Sequence, residues 1–262
     1  MLSFAAVTPH TPLLIPTIGK DNLKKLSTTA DALKALAESY KEAAVDTLLI
    51  ISSHATQHED AFSINLHDEY QTDFSDFGDM GTSKEFLPDV EFITKVQRAT
   101  RDQMVPFTLN SSFSLDHGIG VPLHYLTESG TSPKIVPVSY SGLSAKDHLK
   151  FGGLLKDIID QSPARIGVLA SGDLSHCLSS DAPLGFRKEG KKFDEAIQQA
   201  ISGVSTSVLM AMNEDLPKDA GSCLYKQLLI LFGILERKTN RPEILSYEAP
   251  FGVGYVVAEF HL

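Results

Sequence analysis

Apolar and polar positions along this chain fall into blocks of two kinds. Short continuous apolar runs stand at 2–7 (LSFAAV), 46–53 (DTLLIISS), 134–140 (KIVPVSY) and 165–172 (RIGVLASG). Runs of that length without regular polar alternation are the pattern of strands covered on both faces. Longer stretches with a helical period lie between them. Residues 20–43 carry Leu23, Leu26, Ala30, Leu33, Leu36 and Ala37 at helical spacing, and 84–104 and 145–160 follow the same period. Three further helices are expected at 187–203, 205–213 and 220–237, then two strands, EILSYEA (243–249) and GVGYVVAEF (252–260). Residues 54–82 are polar and aperiodic, a loop or hairpin excursion in which the alternation of AFSINLH hints at one strand. Strand and helix in alternation predict an α/β fold, with a central, mostly parallel sheet and helices on both faces. No linker, repeat or low-complexity tract interrupts the pattern, so a single domain over 1–262 is the simplest organisation.

Composition narrows the function. The chain is 42% hydrophobic and 21% charged, which is ordinary for a globular protein and leaves a sizeable core. Its net charge of −10 offers no basic stripe for phosphates, so no nucleic-acid partner is expected. The N-terminal MLSFAAVTPHTPLLIP lacks a basic leader and is broken by Pro9 and Pro12, which argues against a signal peptide or anchor. The longest apolar candidate for a span, LYKQLLILFGIL, contains Lys226 and Gln227 and falls short of the roughly 18 residues required. Cys177 and Cys223 are too few for a disulfide framework and suit a reducing compartment. A cytoplasmic protein without a membrane partner is expected.

The histidines carry the chemical signal. Four of the nine stand where a strand ends or a helix begins: His10 in VTPHTP, His54 in IISSHA, His117 in LDHGIGVPL and His176 in ASGDLSH. Beyond the carboxyl ends of strands is where ligands collect in an open α/β sheet, so His10, His54 and His176 would share one edge if their strands are parallel. Gly118 and Gly120 are expected to let the backbone turn after His117. The remaining histidines, His58, His67, His124, His148 and His261, take an ordinary structural reading. Neutral imidazole is the commonest transition-metal ligand. Two histidines with one carboxylate suit non-heme Fe(II), and Zn(II) uses the same groups. The chain has no HExxH, CxxC, EF-hand loop, Walker loop or GxSxG elbow. Asp173 either orients a neighbouring imidazole or caps the next helix.

TPHTPLLIP, SSHA, INLHDEYQTDFSDFG, LDHGIGVPL, ASGDLSH and YEAPFGVGY, in this order, resemble the class III (LigB-type) extradiol ring-cleavage dioxygenases and their Memo-like branch, found in AmmeMemoRadiSam gene sets. The resemblance runs from about residue 8 to 258. It implies a LigB-like fold and Fe(II), with Zn(II) or Mn(II) as alternatives. It assigns the metal to His10, His54 and a C-terminal glutamate, for which Glu248 is the best match and Glu243 a weaker one. His176 would act as acid/base and His117 would lie over the substrate. Gly172 and Ser175 would be small to admit it. The implied reaction opens a small catecholic ring next to its diol with O2. Members of the Memo-like branch can use a cysteine as third ligand. Cys177 and Cys223 do not occupy the C-terminal position, which favours Glu248. Two other readings stay open: a Memo-like metal-binding protein with a redox or regulatory role and no ring cleavage, and a metal-dependent hydrolase using the same pocket. A carboxylated substrate would want a nearby cation, such as Arg187 or Lys188, although a solvated helix start is expected there. Some class III enzymes need a separate small subunit, and a homodimer is common for such folds.

Overall fold

The computed structural model describes residues 1–54, 56–213 and 215–262. In chain order the strands are β1 (Leu2–Thr8), β2 (Thr47–Ser52), β3 (Phe62–Asn65), β4 (Tyr70–Thr72), β5 (Glu85–Phe86), β6 (Phe107–Asn110), β7 (Ser114–Leu115), β8 (Lys134–Ser139), β9 (Ile166–Ser171), β10 (Arg241–Glu248) and β11 (Tyr255–His261). The helices are α1 (Pro16–Gly19), α2 (Ser27–Ala43), α3 (Val90–Asp102), α4 (His117–Leu126), α5 (Ala145–Asp160), α6 (Lys188–Gly203), α7 (Thr206–Met210), α8 (Asp215–Ala220) and α9 (Tyr225–Leu235).

The main sheet has the order β10-β11-β1-β9-β2-β8-β3-β6. Its centre, β1-β9-β2-β8, is entirely parallel. Antiparallel pairs join β3 to β8, β11 to β1 and β10 to β11. All six residues of β2 are buried, as the unbroken run TLLIIS requires when both faces are covered. Leu49 and Ile51 face a core built with α3, α5, α6 and α9, while Leu48 and Ile50 face a second core built with α2 and α4. The mostly parallel α/β sheet with helices on both faces is thus the observed architecture. No helix among the described residues is long and apolar enough to cross a membrane.

Three departures from the periodic pattern have local causes. The helix expected from residue 20 is a 3-10 segment until Leu26, and α2 starts at Ser27. The segment expected to be helical from 84 is extended at first, and α3 begins only where Asp89 accepts a hydrogen bond from the Phe92 amide. Around Gly118 and Gly120 the chain is helical rather than turned, with Asp116 capping α4 at the Gly118 amide. Gly118 is needed there for proximity, because a Cβ would run into Ser52 Oγ. β6 was not visible in the pattern, since its four residues are only half-buried. The excursion at 54–82 contributes β3 to the main sheet and β4 to a small three-stranded sheet with β5 and β7.

Candidate metal centre

β9 lies between β1 and β2, and all three run in the same direction. Their carboxyl ends therefore share one edge. His10 follows β1 and His54 follows β2, and the two rings lean together over the end of β9. Their Nε2 atoms are 3.1 Å apart. The last residue of β9, Ser171, fixes the first of these rings. Its Oγ donates to the Gly118 carbonyl and lies 3.1 Å from His10 Nδ1. A hydroxyl has one proton, so Nδ1–H of His10 donates to Ser171 and its Nε2 presents a lone pair.

The third donor is Cys223, whose Sγ is 3.3 Å from His10 Nε2. His10, His54 and Cys223 are the group of His, Cys, Asp and Glu side chains among the described residues whose donor atoms all lie within 4.8 Å of one another. Ligand atoms sharing one tetrahedral ion, at about 2.0–2.1 Å for nitrogen and about 2.3 Å for sulfur, stand roughly 3.3–3.6 Å apart. The two spacings from His10 Nε2, 3.1 Å to His54 Nε2 and 3.3 Å to Cys223 Sγ, are close to that.

Asp173 fastens both sides of the cluster. Its Oδ1 accepts from the His10 backbone amide at 3.0 Å, and its own amide donates to Cys223 Sγ at 3.2 Å. The Cys223 amide in turn donates to the Asp173 carbonyl at 3.3 Å. Among the described residues the Asp173 carboxylate bonds the His10 backbone amide and no imidazole ring, and the next helix, α6, starts only at Lys188. Asp173 sets the backbone of the two segments that carry donors. In the strand tip ASGDLSH, β9 supplies Ser171 and the segment after it supplies Asp173.

Burial sets the protonation states. It holds His10 well below the ordinary histidine value, with His54 and then His176 adding to the effect. It lowers His117 to about 3, again with help from His54 and His10. It raises the Asp173 carboxyl, and it pushes the Cys223 thiol up to about 12, with Asp173 contributing. His10 and His117 are accordingly held neutral. The same burial keeps the proton on the thiol.

His117, the first residue of α4, lies beside the pair, with its ring centroid 4.0 Å from that of His54 and 5.5 Å from that of His10. The Phe77 ring packs against that of His117 in a T-shaped arrangement, with centroids 5.0 Å apart. His176 is half-buried, and its Nδ1 is 3.2 Å from the Leu174 carbonyl. A carbonyl only accepts, so Nδ1 is the donor of this pair.

The expectation that Glu248 joins His10 and His54 is corrected. Its Oε1 accepts from the Thr29 amide at 2.7 Å and from Thr29 Oγ1 at 2.6 Å. Thr29 is in the first turn of α2, whose N-cap residue, Leu26, makes no side-chain cap. Glu248 satisfies an amide that the helix leaves unpaired there. Glu243 is also elsewhere, 2.9 Å from His261 Nε2. The Arg187 guanidinium is directed to the Asp219 carbonyl at 3.1 Å. Cys223 does not occupy the C-terminal position from which the third ligand was expected, yet it lies at the cluster. Its signal is a cysteine in a Gly-Ser turn, AGSCL, directly before the apolar helix α9, with Gly221 at φ 68°.

The chain belongs to the LigB family, the catalytic LigB subunit of aromatic ring-opening dioxygenase, whose family model matches residues 4–258. It is 31% identical over 258 residues to Protein CA_C1420 of Clostridium acetobutylicum, a match that covers 95% of this chain and 55% of that protein. The chain thus spans about half the length of this relative. Its fold is similar to that of the uncharacterized protein JW3007 from Escherichia coli K12, with a TM-score of 0.64 at 17% identity over 99% of both chains.

Proposed function

We propose that this protein is a metal-dependent dioxygenase-type enzyme acting on a small catecholic substrate and O2, with His10, His54 and Cys223 as its metal ligands. The observation that carries the reading is the convergence of three donor atoms on one point, with the His10 tautomer locked by Ser171. The donor set fits a transition ion. Two imidazoles and a thiol suit Fe(II) or Zn(II), and suit Mn(II) less, because Mn(II) prefers oxygen ligands. Bound Fe(II) would supply the redox and Lewis-acid chemistry for ring opening.

The chain's own side chains account for the remaining work. Ser171 and Asp173 fix the donors before any ion arrives. His176, with its Nδ1 proton on Leu174, offers Nε2 as acceptor for a phenolic proton. His117 stays neutral through the working pH range, so a ring nitrogen can donate to substrate oxygen while Phe77 holds the ring.

A second reading has its own support. The donor set ends in a thiol instead of the carboxylate that the resemblance implies, and that favours a metal-binding protein with a redox role and no ring cleavage. One experiment separates the two. Protein loaded anaerobically with Fe(II) is given catechols in an oxygen electrode. The first reading expects O2 uptake and a ring-opened product, lost in His176→Ala with metal content unchanged. Stoichiometric metal without uptake on any catechol would leave the second.

A further inference from the structure

The strongest feature not absorbed by the metal centre is the groove beside it. It has a volume of about 520 Å³, and Cys223 is part of its wall. Cys223, whose Sγ is 3.3 Å from His10 Nε2, is the residue that the groove wall shares with the cluster. Away from that end it is lined by Tyr140, Tyr225, Lys218 and Lys226.

Lys226 is the unusual member. It is half-buried in the first turn of α9, and its Nζ donates to the Ser141 carbonyl at 2.6 Å. Its ammonium also sits 5.3 Å from the centroid of the Tyr140 ring. Among the described residues it has no carboxylate within the 4.0 Å of an ion pair. The acid whose field reaches it, Glu59, is exposed. One carbonyl, one ring face and an exposed Glu59 beyond ion-pair distance offset only part of the cost of half-burying an ammonium. A ligand that brings the negative charge removes that cost. Lys218 is exposed at the same groove and adds a second positive charge.

The geometry points to Lys226 as the residue that selects the ligand, by binding the carboxylate of a small organic acid whose body lies along Tyr140 and whose other end faces the metal centre. This rests on the proposed function for the location of the reacting end, but not for the charge preference. The sequence had suggested Arg187 or Lys188 for such a role; the groove holds Lys226 instead.

The test uses zinc-loaded protein, so that binding is read without turnover. The probes are 3,4-dihydroxybenzoate and its uncharged methyl ester, compared by calorimetry. The expected result is an acid bound at least about tenfold more tightly than the ester, the size of one hydrogen bond to a charged group. Lys226→Gln should abolish the preference with zinc content and thermal unfolding unchanged, and Lys226→Arg should keep most of it. Lys218→Gln should change it by a smaller factor. Equal affinities in the wild type, or a preference that survives Lys226→Gln, would overturn the inference. Ring cleavage is read separately with Fe(II). A preference without cleavage sinks only the dioxygenase reading, and cleavage without a preference sinks only this one.

Discussion

His10 and Glu248 both stand near the carboxyl ends of strands that point the same way, yet only His10 reaches the cluster. β10 is antiparallel to β11, and β11 is antiparallel to β1, so β10 and β1 run in one direction and end at one edge of the sheet. The difference is lateral. His10 and His54 leave the two strands that flank β9, and they meet over its end. β10 is three strands from β9, an offset of about 14 Å at about 4.8 Å per strand. No glutamate side chain spans that distance. Strand direction therefore tells which edge a residue occupies, and strand order tells which residues can meet there.

The largest effect that tests this contrast is on metal affinity. Cys223→Ala removes a donor, and Glu248→Gln removes a carboxylate that points to α2. Chelator competition should show at least about 100-fold weaker binding for Cys223→Ala, more than loss of an outer partner costs, and no change for Glu248→Gln. The comparison fails if Glu248→Gln strips the metal while Cys223→Ala retains it. A middle-sized effect sharpens it from the other side. Ser171→Ala frees the His10 ring to adopt the tautomer with Nε2 protonated, and should weaken metal binding by about 10- to 100-fold with all three donors intact. Unchanged affinity in Ser171→Ala would mean that the hydroxyl does not set the tautomer.

The same contrast explains what the sequence made legible. Continuous apolar runs marked β1, β2, β8 and β9 to within a residue or two, because strands buried on both faces leave no other pattern. Histidines just past such runs marked the edge, and His10 and His54 were found that way. Cys223 was not, because it reaches the cluster from a turn between α8 and α9 and is aligned by the backbone of Asp173, a contact across 50 residues. Nothing in the local pattern encodes strand order, so Glu248, at a strand end beside a Gly-Pro-rich turn, looked equivalent to His10. The DHG segment misled differently. Its glycines suggest a turn, but Asp116 caps a helix through them, and their small size serves the approach of Ser52 and Phe74.

The smallest effect concerns what Glu248 does instead. If it serves as the missing cap of α2, its removal should cost stability and leave the metal untouched. Glu248→Ala loses both hydrogen bonds to Thr29 and the favourable charge at the helix start, about 1 kcal/mol together, within the range of about 0.5–2 for cap removal. Glu248→Gln keeps an acceptor but not the charge, so it should lose a smaller amount and become insensitive to added salt. Both are read as shifts of the urea midpoint of metal-free protein at constant slope, which separates folding from ligation. Thr29→Val tests the pairing directly, since it deletes the Oγ1 bond while the backbone amide remains. Thr29→Val and Glu248→Ala should cost less together than the sum of the two alone, because they remove one shared contact. Strict additivity would detach Glu248 from α2 and reopen the question of what holds a half-buried carboxylate at the end of β10.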